Sequence, residues 1–207
     1  MIESWVSDWA HGWAASRGVG PVTPVPGGQR IEVGLSGHVA RYVLPAADPA
    51  ALRAIDTSPV EPGTWVKVSA PAAEVRASLG PRWAEAELCH LMSTTLTADV
   101  PPAPAGYRVH LEPAGAVTVA RVLDASGELA ASGQVAGTRR NVVFDQIVTE
   151  PAHQRRGLGS LVMASLARHA MERGAVGGVL GATGDGRALY LRLGWRVRAP
   201  LCAFVRA

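Results

Sequence analysis

The residues best placed to do chemistry are Gln154-Arg155-Arg156-Gly157-Leu158-Gly159-Ser160. They stand between an extended apolar run, residues 141–149 (NVVFDQIVT), and a segment over 158–173 with Leu161, Val162, Leu166 and Ala170 at helical spacing. A glycine turn that opens a helix presents unpaired backbone N–H groups and the positive end of the helix dipole. Such a turn binds anions, phosphate groups above all. Gly157 and Gly159 keep side chains clear of the bound group, and Arg155 and Arg156 set positive charge beside it. No Gly-Lys-Ser/Thr follows, so this is not a nucleotide P-loop, and no G-x-G-x-x-G marks a dinucleotide site. Taken alone, the same turn would also serve as a tight strand-to-helix connection.

About thirty residues downstream stands Ala188-Leu189-Tyr190-Leu191-Arg192-Leu193-Gly194-Trp195. It reads as a short helix closed by Gly194 in the left-handed conformation, followed by a strand from Trp195. In this order and separation the two segments resemble the GNAT acyltransferase superfamily, over about residues 107–207. The resemblance implies the GNAT fold, a mixed α/β sheet. It also implies that the Q-R-R-G-L-G turn grips the coenzyme A pyrophosphate and that Tyr190 lies near the thioester sulfur. Acetyl-CoA is the implied co-substrate, and no metal is expected. Many members carry an asparagine seven residues before the tyrosine, bonded to pantetheine; here Thr183 holds that place, with a hydroxyl but no two-ended amide.

Acyl transfer from a thioester to an amine requires an anchored coenzyme, a polarised carbonyl, a neutral amine and a protonated leaving thiolate. The backbone of Arg155, Arg156, Gly157, Leu158, Gly159 and Ser160 suits the anchoring. The resemblance implies that the edge of the preceding strand, Ile147, Val148 and Thr149, pairs with the pantetheine amides, with the Val148 N–H on the thioester carbonyl. Tyr190 is the candidate general acid, and a tyrosine packing its helix onto the sheet is the alternative. Asp145 alternates with Ile147 along the strand and is the candidate base, with an ion pair to Arg139 or Arg140 as its structural alternative. His110 and Glu112 are weaker candidates, and His153 reads as a solvated loop residue.

These residues need a framework to hold them. The chain has 207 residues, 48% hydrophobic and 18% charged, enough for a substantial core. Its net charge of +3 and lack of long like-charge runs argue against a nucleic-acid surface. Lys67 is the only lysine, an arginine bias that suggests a GC-rich bacterial source. Cys89 and Cys202 lie far apart without metal-ligand spacing and suit a reducing compartment. Neither a signal peptide nor a membrane span is apparent, so a cytoplasmic protein is expected.

Residues 1–30 divide into an amphipathic helix over 2–16, with Ile2, Trp5, Trp9 and Trp13 on one stripe, and a Pro/Gly loop over 17–29. The stripe suits docking on the protein's own core, because the polar face lacks the basic residues of a membrane-surface helix. Residues 31–100 form a smaller α/β unit, which could be a degenerate first copy of the same fold. Strands are expected over 39–44 and 64–69, helices over 49–55 and 72–79, and 83–92 fits either pattern. The proline-rich segment 98–106 marks a boundary, and 101–207 is the catalytic domain. Its strands fall over 107–111, 117–124, 128–136, 141–149, 176–182, 195–198 and 202–206, and a short helix spans 186–193. The expected partner is a small-molecule or peptide amine, with a homodimer as an option that the superfamily commonly uses. A non-catalytic acyl-CoA-binding module is the alternative function.

Overall fold

Tryptophans one helical turn apart give α1 (Ile2–Arg17) a single apolar face, which seats Trp9 and Trp13 in the core. The computed structural model describes residues 2–137 and 140–207. After α1 come β1 (Val22–Val25), β2 (Gly28–Leu35), β3 (His38–Leu44), α2 (Pro49–Thr57), β4 (Thr64–Val68), α3 (Ala72–Arg76) and β5 (Trp83–Thr95). The second half supplies β6 (Arg108–Ala114), β7 (Val117–Leu123), β8 (Leu129–Ala136) and β9 (Asn141–Thr149). A short 3-10 turn (Pro151–His153) leads into α4 (Leu158–Glu172), β10 (Gly177–Ala182), α5 (Gly184–Arg192) and β11 (Arg196–Arg206).

All these strands join one sheet in the order β1-β2-β3-β4-β11-β5-β10-β9-β8-β7-β6. A common pattern occurs twice along the chain. β3 and β4 are a parallel pair linked through α2, then α3 and β5 follow; β9 and β10 are a parallel pair linked through α4, then α5 and β11 follow. Each unit's last strand is given to the other: β5 pairs antiparallel with β10, and β11 pairs antiparallel with β4. The two exchanged strands lie side by side at the centre of the sheet. The smaller first unit therefore repeats the strand and helix order of the second, without its glycine turn or tyrosine segment.

Alternation along the strands sends apolar residues to two faces. Val143, Val179, Leu91, Leu201 and Ile31 pack against α1 on one face. Phe144, Leu180 and Met92 pack against α4 on the other, and Leu44, Val66, Val68 and Phe204 pack with α2 and α3. Gly12 is what lets α1 sit close, because a Cβ there would overlap the side chain of buried Val143. Gly12→Ala gains about 1 kcal/mol of helix propensity. Overpacking against a rigid β-branched neighbour costs about 1–3 kcal/mol, so the loss wins. The expected outcome is a lower thermal midpoint, measured by circular dichroism.

Two expected elements differ. The segment 17–29 is not wholly loop: β1 lies within it and pairs with β2 across the Pro26-Gly27 turn, where Gly27 has φ +78°. Pro24 is accommodated because β1 is an edge strand. The two final strands are one, β11, whose irregular register near Arg198 and Cys202 absorbs the proline that separated them in sequence. No helix among the described residues is long and apolar enough to cross a membrane.

Candidate functional site

β9 and β10 pair only at Asn141–Gly177, Val142–Gly178 and Val143–Val179. Beyond Val143 the two strands part, and the outer edge of β9 runs on to Thr149 with β8 alone as its partner. Of the sequence-predicted residues, Asp145, Ile147, Thr183 and Tyr190 line the cavity at this opening. A bulge at Gln146 (φ +54°) interrupts β9, since the two residues between Asp145 and Val148 oppose the single residue between Gln134 and Ser132.

The bulge corrects one expectation. Asp145 and Ile147 do not share a face: Ile147 packs with the α4 core, whereas Asp145 points to α1. The ladder also bears on the carbonyl donor. The Glu150 N–H donates to the Ala130 carbonyl, so by antiparallel alternation the Val148 N–H is turned toward Ser132 and that of Thr149 toward the opening. The Thr149 carbonyl accepts from Gln154 Nε2 at 3.4 Å.

Past Thr149 the chain turns sharply into α4. Gly157 is its N-cap at φ +80°, and no side chain caps the helix. The N–H groups of Leu158, Gly159 and Ser160 in that first turn have no carbonyl within the helix to bond. Arg155 holds φ +63°, a conformation costly for a residue with a Cβ and typical of functional turns. Arg156 steadies the turn by donating to the Tyr107 hydroxyl at 2.9 Å and to the Ala152 carbonyl at 3.2 Å. His153 is not a solvated loop residue: its Nδ1 lies 2.9 Å from the Tyr107 hydroxyl, and its ring meets that of Tyr107 edge-on. At Gly159 a Cβ would lie 3.2 Å from Leu189 of α5 and 3.7 Å from Thr149 Oγ1, so turn, strand end and second helix converge there.

α5 ends as its sequence suggests. The Trp195 N–H bonds to the Tyr190 carbonyl and the Gly194 N–H to that of Leu191, with Gly194 at φ +80°, a Schellman cap. That cap folds Trp195 back against Tyr190, with ring centroids 6.0 Å apart, and edge-on to Phe144 at 5.3 Å. Gly186 leaves room for the Tyr190 ring, since a Cβ there would lie 3.1 Å from it. Thr183 caps α5 by accepting from the Gly186 N–H at 3.3 Å. Burial, followed by the charge of Asp145, pushes the Tyr190 phenol up to about 12, so it is protonated at neutral pH.

Tyr190, Thr183, Ile147 and Asp145 line one cavity of about 480 Å³. Asp145 accepts from Arg17 at 2.6 and 3.0 Å and from Ser16 Oγ at 2.8 Å. Its ion-pair partner is thus Arg17 of α1, 128 residues away; Arg139 lies outside the described residues. Glu112 pairs with Arg121 on β6 and β7 at the far edge of the sheet, and His110 shares that edge strand, so neither joins the cavity.

Further walls come from α1, with Trp9 and Trp13, and from the first α/β unit, with Arg41, Lys67 and Cys89; of these the sequence singled out only the tryptophans, as a core-facing stripe. A signal was present. Arg41 and Lys67 sit at alternating positions of short apolar strands, where a charged side chain is carried inward with its neighbours. Among the described residues no group of three or more His, Cys, Asp or Glu is arranged to hold a metal ion.

Residues 139–204 match the family model described as FR47-like protein. No curated protein sequence matches the chain. Among solved structures, a GCN5-related N-acetyltransferase from Kribbella flavida is similar over 100% of this chain and 95% of its own, with a TM-score of 0.71 at 17% identity. A tandem GNAT protein from the clavulanic acid biosynthesis pathway matches at a TM-score of 0.57 and 14% identity, covering 80% of this chain and 74% of that one. A GCN5-related N-acetyltransferase from Sphaerobacter thermophilus matches at 0.58 and 13%, covering 86% and 76%.

Proposed function

Because the chain carries the fold of the GNAT acyltransferases, we propose that it is an acyl-CoA-dependent N-acyltransferase that moves acetyl from acetyl-CoA to a primary amine. The observation that carries this reading is the parting of β9 from β10 beside an uncapped helix terminus. A thioester cofactor of this kind needs a phosphate cradle and a free strand edge for its amides. The first turn of α4 with Arg155 and Gly157 suits the former, and the edge of β9 ending at Thr149 suits the latter. The acyl end would then reach the cavity that holds Tyr190.

There the amine nitrogen attacks the thioester carbonyl carbon directly, in a ternary complex, and the carbon–sulfur bond breaks. Tyr190 hydrogen-bonds the departing sulfur and supplies its proton. The surplus proton on the nitrogen leaves through Asp145 or water held by it. Asp145 must loosen one of its bonds to Arg17 or Ser16 to accept that proton, which leaves a non-catalytic acyl-CoA-binding module as the second reading.

Titrating the purified protein with acetyl-CoA in a calorimeter, then assaying coenzyme A release with a panel of amines, tests both. The expected outcome is saturable binding with amine-dependent release. Binding with no release on any amine supports the sensor reading, and absence of binding to acetyl-CoA and longer acyl-CoAs defeats both.

A further inference from the structure

Arg41 from β3 and Lys67 from β4 enter the cavity on the face covered by α1. They are only 7% and 8% exposed, respectively. Among the described residues neither takes part in an ion pair. Arg41 Nε is buried without a hydrogen-bond partner, and Lys67 donates to the Cys89 thiol at 3.4 Å, a weak acceptor. The two acidic groups of the cavity do not meet them: Asp145 is held by Arg17 and Ser16, and Asp185 sits in the exposed first turn of α5.

Buried cations are ordinarily paired, because stripping their water costs several kcal/mol per ion unless a counter-charge replaces it. Both show that cost. Burial, then the charge of Arg17, lowers Arg41 to about 9 against the pull of Asp145, and burial lowers Lys67 as well. Burial and then Arg41 lower the nearby His38 to about 4, so its ring adds no charge at neutral pH.

The Arg41 guanidinium carbon lies 3.7 Å from the centroid of the Trp13 ring, so one face of the group is covered by an indole. What remains for bonding is its edge, whose planar fork matches a two-oxygen anion. Asp145, at the Tyr190 side of the same cavity, already pairs with Arg17, a third cation of the lining, so the charges of Arg41 and Lys67 remain in excess. Such an excess calls for an acceptor that brings its own carboxylate, and an ammonium on the same molecule can compete with Arg17 for Asp145.

We propose that Arg41 and Lys67 bind a carboxylate on the acceptor, so that the amine acylated here belongs to the α-amino acid class, with its nitrogen toward Asp145 and Tyr190. This rests on the acyltransferase reading. It adds a role for the N-terminal unit, which supplies the acceptor half of the site.

The test compares matched pairs, phenylalanine with phenethylamine and alanine with ethylamine, by coenzyme A release, with O-phosphoethanolamine as a further arm. The expected result is a kcat/KM at least tenfold higher for the carboxylated member of a pair. Arg41→Met should bring that ratio close to one while binding acetyl-CoA with wild-type affinity. Equal use of both members, a ratio unchanged in Arg41→Met, or a preference for O-phosphoethanolamine would overturn the proposal.

A measurement without acyl transfer separates this inference from the reading beneath it. The amino acid should raise the melting temperature of the wild-type protein, and its decarboxylated partner should not. Should Arg41→Met fail to fold, Lys67→Met takes its place in both assays. Stabilisation by both members alike would sink the carboxylate site even where acetyl-CoA binds.

Discussion

Tyr190→Phe is expected to lower kcat for acyl transfer by about 10²-fold or more while acetyl-CoA affinity stays within a few-fold. The size follows from the state of the phenol. With its ionisation pushed up to about 12, Tyr190 is a worse acid than a free tyrosine. A thiol of ordinary pKa is about 8.5, so full transfer of the proton to a free thiolate is uphill by about 3–4 units. The phenol therefore acts first as a fixed, neutral donor that strengthens as charge builds on sulfur, and proton transfer completes only as the amine sheds its own proton. A donor of this kind, held in place by Trp195 and the Gly194 cap, is worth about 3–4 kcal/mol in the transition state. Phenylalanine keeps the ring packing and removes only the hydroxyl. Single-turnover coenzyme A release beside calorimetric binding checks the split, and unchanged kcat would assign Tyr190 a packing role alone.

The same substitution carries an independent signature at high pH. Tyr190 has a raised ionisation constant when folded, so its neutral form contributes stability that is intact below about pH 10, the unfolded value, and lost as pH rises through about 12. Two units correspond to about 2–3 kcal/mol. Tyr190→Phe should flatten the alkaline arm of a stability–pH curve. For the same reason, wild-type activity should show no falling limb due to Tyr190 until well above pH 10.

What the sequence showed of this site is local, and what it hid is long-range. β9, the glycine turn, α4 and the capped end of α5 follow from propensity, periodicity and one glycine conformation each, and they sit where residue patterns place them. The bulge at Gln146 does not, because NVVFDQIVT alternates acceptably without it; only pairing with β8 shows that one residue is extra, and with it that Asp145 and Ile147 diverge. The stretch from Trp83 to Met92 mixes good helix formers (Ala, Glu, Leu) with strand alternation, and its place between β10 and β11 settles it as β5. The exchange of β5 and β11 between units is invisible to any local pattern. So is the contact of Arg17 with Asp145 across 128 residues, and so are Arg41 and Lys67, which reach the cavity only because the two units share one sheet. Half of the site was therefore legible, the half proposed to hold the coenzyme.

Gly157→Val is expected to weaken acetyl-CoA binding by about 10²-fold, and Gly157→Asn to cost only a few-fold. The contrast separates conformation from bulk. A Cβ at residue 157 would meet nothing within 4 Å, so either side chain has room in the free protein. What valine lacks is the backbone state: φ is +80°, a left-handed conformation that costs a β-branched residue about 1–3 kcal/mol and that asparagine tolerates. A chain that escapes this cost rotates the N-cap of α4 and turns the N–H groups of Leu158 to Ser160 away from a common centre. An anion held by several such donors and the helix dipole then loses them together, about 3 kcal/mol for a hundredfold change. Calorimetric titration of both variants with acetyl-CoA checks the order. Equal affinity in the valine variant would move the phosphate site away from this turn, whereas equal loss in both would show that the space above Gly157, rather than its backbone, is what the coenzyme occupies.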